Sequence, residues 1–207
     1  MPRMIDYFFT LSSPWAYLGH AAFLETAKRH GATVTYRPMP VRAVFDETGG
    51  LPLPKRHPSR QRYRLVELQR WRERRGLPLV LQPKHVPFDP SLADRFVTAV
   101  VAAGHDPDAF LRRAFHTIWS DERDMGDRSV IAGLATAEGL PAEALLTAAE
   151  SAASSERYEA NRVDAIAAGV FGAPSYVLDG EVFWGQDRIE LLDSALASGR
   201  AAYLPQA

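Results

Sequence analysis

The run Ser12-Ser13-Pro14 is the first place in the chain where residue type and order could do chemistry. It separates strand formers, Met4 to Phe9, from a helical stretch, so Ser13 falls at a helix N-cap with proline at the first helical position. A hydroxyl there sits beside unpaired amides at the positive end of a helix dipole, an environment that favours an anion such as a thiolate. The chain contains no cysteine, so any thiolate at this point must be borrowed from another molecule. A thiol with a pKa of about 8.5 is only a few per cent ionised at neutral pH, and each unit of depression raises the reactive fraction nearly tenfold. Ser13 is the candidate to activate such a sulfur, Ser12 is the runner-up, and the competing reading for both is a plain cap and loop closure. Two further pieces matter. Gly172-Ala173-Pro174 precedes a strand, and Trp184-Gly185-Gln186-Asp187-Arg188 leads into the last helix, where Asp187 could be a ligand, an N-cap, or both.

The elements that position these pieces follow from pattern. Met4 to Phe9 reads as a buried strand, Pro14 to about His30 as a helix stopped at Gly31, and Thr33 to Arg37 as a second strand ending against Pro38 and Pro40. From Phe45 to about Asn161 the signals are helical, with caps expected at Ser91, Asp106 and Asp127 and stops at Gly76, Gly104 and Gly139. A helix then runs to Ala168. Ser175 to Leu178 and Glu181 to Trp184 flank Asp179-Gly180, a strong hairpin signal, and a final helix carries Ile189, Leu192 and Leu196 at spacings of three and four.

Composition narrows the functions. Among 207 residues, a net charge of −1 argues against bulk attraction to nucleic acid or anionic membrane. No apolar run approaches the roughly 20 residues of a membrane span. The N-terminus lacks the apolar core and cleavage site of a secretory signal, which points to the cytoplasm. Zero cysteines excludes disulfides and thiolate metal sites, and six histidines at least ten residues apart have no local metal-ligand spacing. One basic cluster stands out: Lys55, Arg56, Arg60, Arg62, Arg64, Arg70, Arg72, Arg74 and Arg75 hold nine of the 24 lysines and arginines, partly balanced by Glu67 and Glu73. A solvated helix face is its ordinary explanation.

The segments Ser13-Pro14-Trp15-Ala16-Tyr17-Leu18-Gly19 and Gly169 through Leu192 together resemble the kappa-class glutathione transferases and the 2-hydroxychromene-2-carboxylate isomerases, members of the DsbA-like branch of thioredoxin folds. The resemblance covers nearly the whole chain. It implies an α/β, thioredoxin-like (DsbA-like) fold with a large all-helical insertion, residues 1–44 and 162–207 forming a discontinuous thioredoxin-like domain and 45–161 the insertion. It implies glutathione as cofactor and Ser13 as the catalytic residue, with Ala16 in the second cysteine position of the redox relatives. Ala173, before a cis Pro174, would pair its backbone with the cysteine of glutathione. Gln186, Asp187 and Arg188 would hold the γ-glutamyl end. Lys55, Arg60 and Tyr63 fall where the family gathers groups toward the glycine end of glutathione and an anionic substrate. Trp15 and Trp184 are the better pocket candidates among the aromatics, and Asn161 matches a family position, the competing reading being that it merely braces a helix. The implied activity converts 2-hydroxychromene-2-carboxylate to trans-o-hydroxybenzylidenepyruvate in a cytoplasmic homodimer. The alternatives are transfer or peroxidase chemistry on another small electrophile, or a non-catalytic thiol-binding adaptor. One departure is Thr48-Gly49-Gly50, where the family commonly has threonine-glycine-asparagine.

Overall fold

Strand formers at Met4–Phe9, interrupted only by Asp6, form β1, one of the two inner strands of a four-stranded sheet, and in the computed structural model, which describes residues 2–205, both of its faces are covered. Ile5, Tyr7 and Phe9 enter the larger core, while Phe8 points to the opposite face among Met39, Val44, Val170 and Val177. This alternation is the period-two geometry of a strand buried on both sides. The sheet order is β2-β1-β3-β4. β2 (Thr33–Pro38) runs parallel to β1, and β3 (Ser175–Leu178) and β4 (Glu181–Trp184) add antiparallel on the other side. The Asp179-Gly180 turn has positive φ at both residues, 52° and 86°, as a two-residue hairpin of this hand requires.

Crossover helix α1 (Pro14–Arg29) joins β1 to β2. Helices α2 (Val41–Thr48), α3 (Pro58–Arg75), α4 (Ser91–Ala102), α5 (Asp108–Trp119), α6 (Arg128–Ala137), α7 (Ala142–Glu150) and α8 (Ala152–Ala167) follow before the chain returns to β3, and α9 (Ile189–Ser198) closes it. This is the expected thioredoxin-like arrangement with helices inserted. The seams expected at 44/45 and 161/162 fall inside α2 and α8, and one apolar cluster runs from Phe9 and Leu18 to Phe96, Phe115 and Leu146. Asp127 caps α6 through its bond from the Ser129 amide. At α4 and α5 the cap position belongs instead to Pro90 and Pro107. There Asp89 and Asp106 each accept from the amide two residues on, a turn that competes with ordinary capping.

Gly19 lets α1 approach the start of the last helix. A Cβ there would lie 2.6 Å from Gln186 Cβ and 2.9 Å from the Tyr176 hydroxyl, so any side chain forces the helix away from the turn that follows β4. Gly19→Ala is expected to cost about 1–3 kcal/mol by overpacking despite alanine's better helix propensity. Urea unfolding checks this, and an unchanged or raised midpoint would show that the approach is not tight.

Candidate active site

Ser13 takes an extended conformation at the N-cap of α1, and its hydroxyl accepts from the Ala16 amide at 3.2 Å. The same hydroxyl donates to the Ala173 carbonyl at 3.3 Å, a long bond that a stronger acceptor could displace. Ala173 precedes Pro174 across a cis peptide bond, and the Pro174 carbonyl is taken by the Gly185 amide at 2.8 Å. The serine, the cis-proline loop and the run after β4 are therefore assembled at one place although 160 residues separate Ser13 from Ala173. Pro14 has no amide hydrogen, and the Trp15 amide lies in the first turn, where a helix supplies no acceptor. The surroundings of Ser13 are a donor set without a neutralising acid in the first turn of the helix.

A cleft of about 1230 Å3 opens beside this loop, with Ser12 in its wall. Its other walls come from Val41 and Phe45 of α2, Lys55, Arg62 and Arg64 around the start of α3, and the apolar loop around Pro83 to Phe88. Trp119 and Tyr158 line it as well. The largest wholly buried side chain, Trp119, fixes the site loop by donating its indole N–H to the Leu11 carbonyl at 3.2 Å. From the other side, the Leu11 amide donates to Asp94 Oδ1 at 2.9 Å. Tyr17, one turn into α1, donates to the Pro78 carbonyl at 2.6 Å and so ties the site helix to the segment after α3.

Asp94 is wholly buried, and burial pushes its carboxyl up to about 7 against the opposing bonds from Leu11, Thr10 and Tyr158. Between the ordinary carboxylate range and about pH 7 the unfolded chain releases this proton while the folded chain keeps it. The contribution of Asp94 therefore favours folding least at the top of that window, and stability falls as pH rises through it. Arg64 is the cationic counterpart. It lines the cleft, burial and the charge of Arg56 hold its guanidinium below the usual arginine value, and among the described residues it has no carboxylate partner.

The structure sorts the basic cluster by helical face. Arg70 pairs with Glu67 at 2.5 Å, Arg74 lies 3.7 Å from Glu190, and Arg72 donates to the Leu79 carbonyl. Arg75 spans to the turn after β4, donating to both the side-chain and backbone oxygens of Gln186 at 3.0 Å. Gln186 is thus buried and occupied by Arg75, and it serves as the brace between α3 and that turn. Lys55 reaches the cleft wall, whereas Arg60 and Tyr63 stand on the exposed face of α3 and do not line it. Helical periodicity explains this, because residues 60, 63, 67 and 70 share one face while 61, 64, 65 and 68 share the other.

Asp187 is exposed and pairs with Arg188 at 2.7 Å in a short 3-10 turn, Gln186–Arg188, and α9 begins only at Ile189. It does not cap α9: Gly185, at φ 99°, redirects the chain and inserts the turn first. Trp15 is half-buried against the larger core. Trp184 is exposed beside Phe171, their ring centroids 4.7 Å apart, and it packs over Gly172, where a Cβ would meet the indole nitrogen at 2.5 Å. Gly50 has a similar reason. A Cβ there would collide with the Phe45 ring at 2.3 Å, so the aromatic that walls the cleft fills the space an asparagine would need. Asn161 is buried and donates to the Pro38 carbonyl at 2.8 Å, bracing the end of β2.

A central strand with one parallel and two antiparallel additions, a serine at the N-cap of the crossover helix and a facing cis-proline loop define a thioredoxin-like protein without its cysteines. The DSBA-like thioredoxin domain matches residues 4–197, and the chain belongs to that family. It is 31% identical over 198 residues to the 2-hydroxychromene-2-carboxylate isomerase of Sphingobium xenophagum, spanning 95% of this chain and 99% of the relative. It is 27% identical to glutathione S-transferase kappa 1 of Rattus norvegicus, spanning 92% of this chain and 89% of that one. A solved 2-hydroxychromene-2-carboxylate isomerase superposes with a TM-score of 0.81 at 26% identity, covering 94% of this chain and 95% of its own. No helix among the described residues is long and apolar enough to cross a membrane.

Proposed function

We propose that the chain is a glutathione-dependent isomerase acting on 2-hydroxychromene-2-carboxylate or a close aromatic analogue, as a cytoplasmic homodimer in keeping with its family. The observation that carries the reading is the Ser13 hydroxyl at the head of α1, facing the Ala173 carbonyl beside a cleft whose wall holds Arg64, which has no carboxylate partner among the described residues. These groups fit glutathione: a hydroxyl and a first-turn amide for its sulfur, the Ala173 backbone for its cysteine, and Asp187 with Arg188 for its charged γ-glutamyl end. Bound there, glutathione supplies a nucleophile that adds reversibly to an unsaturated carbon, which lets the former double bond rotate before elimination. Ser13 lowers the cost of the sulfur's negative charge by hydrogen bonding at the positive helix end. Lys55, Arg62 and Arg64 hold the substrate carboxylate, while Phe45 and the apolar loop around Pro87 shield the ring from water. Arg60 and Tyr63, on the exposed face of α3 outside the cleft wall, are given no contact with glutathione in this arrangement.

The expected result is conversion of the chromene acid to the trans benzylidene pyruvate with no net loss of glutathione. Consumption of glutathione would assign a kappa-like transferase instead, and binding without turnover would assign an adaptor. Arg64→Met keeps the volume and removes the charge, so it is expected to raise KM about tenfold or more with a smaller change in kcat, as loss of a charge-assisted bond does. An unchanged KM would place the carboxylate elsewhere.

A further inference from the structure

The turn after β4 is gripped from α3 by one side chain. Arg75, in the last turn of that helix, donates from Nε to Gln186 Oε1 and from Nη2 to the Gln186 carbonyl, each at 3.0 Å. Two bonds from one planar fork hold both the side chain and the backbone of a single residue, which one bond would leave free to swing. Both acceptors are neutral, so the charged donor is spent here on a turn and not on an acid. The guanidinium lies over the Trp71 ring, 5.2 Å from its centroid and one helical turn back. On the other side α1 closes in at Gly19, where a Cβ would stand 2.6 Å from Gln186 Cβ. Gln186 is buried and clamped between the two helices.

The clamped residue sits between two functional segments. Before it, the Gly185 amide donates to the Pro174 carbonyl at 2.8 Å, and Pro174 follows Ala173, whose carbonyl accepts from Ser13. After it come Asp187 and Arg188, and the Arg188 amide closes the turn on the Gly185 carbonyl at 3.0 Å. We propose that Arg75 is a positioning residue for glutathione: by holding Gln186 it keeps Asp187 and Arg188 where the γ-glutamyl end binds, while the sulfur end is set independently by Ser13 and the loop at Pro174. This rests on the assignment of the γ-glutamyl end made above.

Asp187 and Arg188 cannot hold their own place. Both are exposed, and their 2.7 Å pair is internal to the turn, so it ties neither of them to the body of the protein. The Arg75 fork supplies that tie. Removing it leaves the Ser13 contacts and the cleft arginines as they are, since Arg62 and Arg64 lie in the first half of α3. The loss therefore falls on binding that ground state and transition state share, which appears in KM and not in kcat. Arg75→Met keeps an apolar stem against Trp71 and loses both bonds, whereas Arg75→Lys keeps the charge and can restore one of them.

Amide hydrogen exchange followed by NMR reads the positioning with no ligand present: the Gly185 and Arg188 amides should exchange about tenfold faster in Arg75→Met, with β1 unchanged. Calorimetric titration reads the consequence. Arg75→Met is expected to weaken glutathione and γ-glutamylcysteine by about five- to tenfold and to leave cysteinylglycine, which lacks the γ-glutamyl end, unchanged; Arg75→Lys should recover part of the loss. Under turnover KM for glutathione should rise by the same factor while kcat stays within about twofold. Unchanged exchange at the turn, an unmoved glutathione affinity, or an equal loss for cysteinylglycine would each overturn this role, the last because it marks a general loosening of the site. Failure of the wild type to bind any of the three thiols would instead overturn the glutathione reading itself, and this role with it.

Discussion

Ser13→Ala is expected to lower kcat/KM for the chromene acid by about a hundred- to a thousandfold, the usual consequence of deleting one aimed donor from a site where charge must be stabilised. The hydroxyl has two bonds in the folded chain, one from the Ala16 amide and one to the Ala173 carbonyl. Losing the first weakens the N-cap by about 1 kcal/mol, too little to unfold a domain of ordinary stability. Losing the second removes the hydrogen that can turn from a neutral carbonyl to a sulfur anion. The rate loss and the stability loss are therefore separable, and circular dichroism with urea titration gives the second independently. Ultraviolet titration of the bound glutathione thiol gives the cause: wild type should hold the sulfur well below its free value, and the variant should release it. If Ser13→Ala leaves both the rate and the sulfur titration unchanged, the serine is only a helix cap. Running Ser12→Ala in parallel decides between neighbours, because Ser12 stands in the cleft wall and Ser13 is mostly buried behind it.

Trp119→Ala is expected to cost about 3–5 kcal/mol of folding free energy, a large part of the roughly 5–15 kcal/mol available to a domain. Its side chain is the largest of those that are fully buried, it ends α5, and its indole N–H holds the Leu11 carbonyl. Deletion opens a cavity next to the cleft and leaves that carbonyl unpaired on the loop that positions Ser12 and Ser13. Trp119→Phe separates the two effects, since it keeps most of the apolar contact and loses the bond, for about 1 kcal/mol. Chemical denaturation at constant slope measures both. A loss below about 1 kcal/mol for the alanine variant would mean that the surrounding helices close over the gap, and the site loop would then need another anchor.

The sheet and the serine at the N-cap of α1 are legible in the sequence because their signals are local. A run of β-formers and aromatics in β1, proline after a serine, and Asp-Gly between two strand-forming runs each act over a few residues, and the hairpin bounds Ser175 to Leu178 and Glu181 to Trp184 match the structure. The Asp187 cap was misplaced for an equally local reason: Gly185 at φ 99° permits a 3-10 turn that the sequence pattern does not distinguish from a helix start. The 3.3 Å contact between the Ser13 hydroxyl and the Ala173 carbonyl joins residues 160 apart in sequence, and no local signal in either segment points to the other.

By itself, then, the sequence determined that this is a cysteine-free α/β chain with a serine at the head of its first helix, because caps, turns and strand alternation are set by nearest neighbours. Which basic residues face the cleft was decided by tertiary structure, since α3 could be rotated to present Arg60 or Arg64 until Leu68 and Arg75 docked it against the core and the turn at Gln186. Tertiary structure also decided the placement of Asp94. No local pattern marks a carboxyl in the fourth helix as lying under the loop at Leu11, 83 residues away; its burial and its bonds from the Leu11 amide and the Tyr158 hydroxyl exist only after α4 and α8 have closed on β1 and α1.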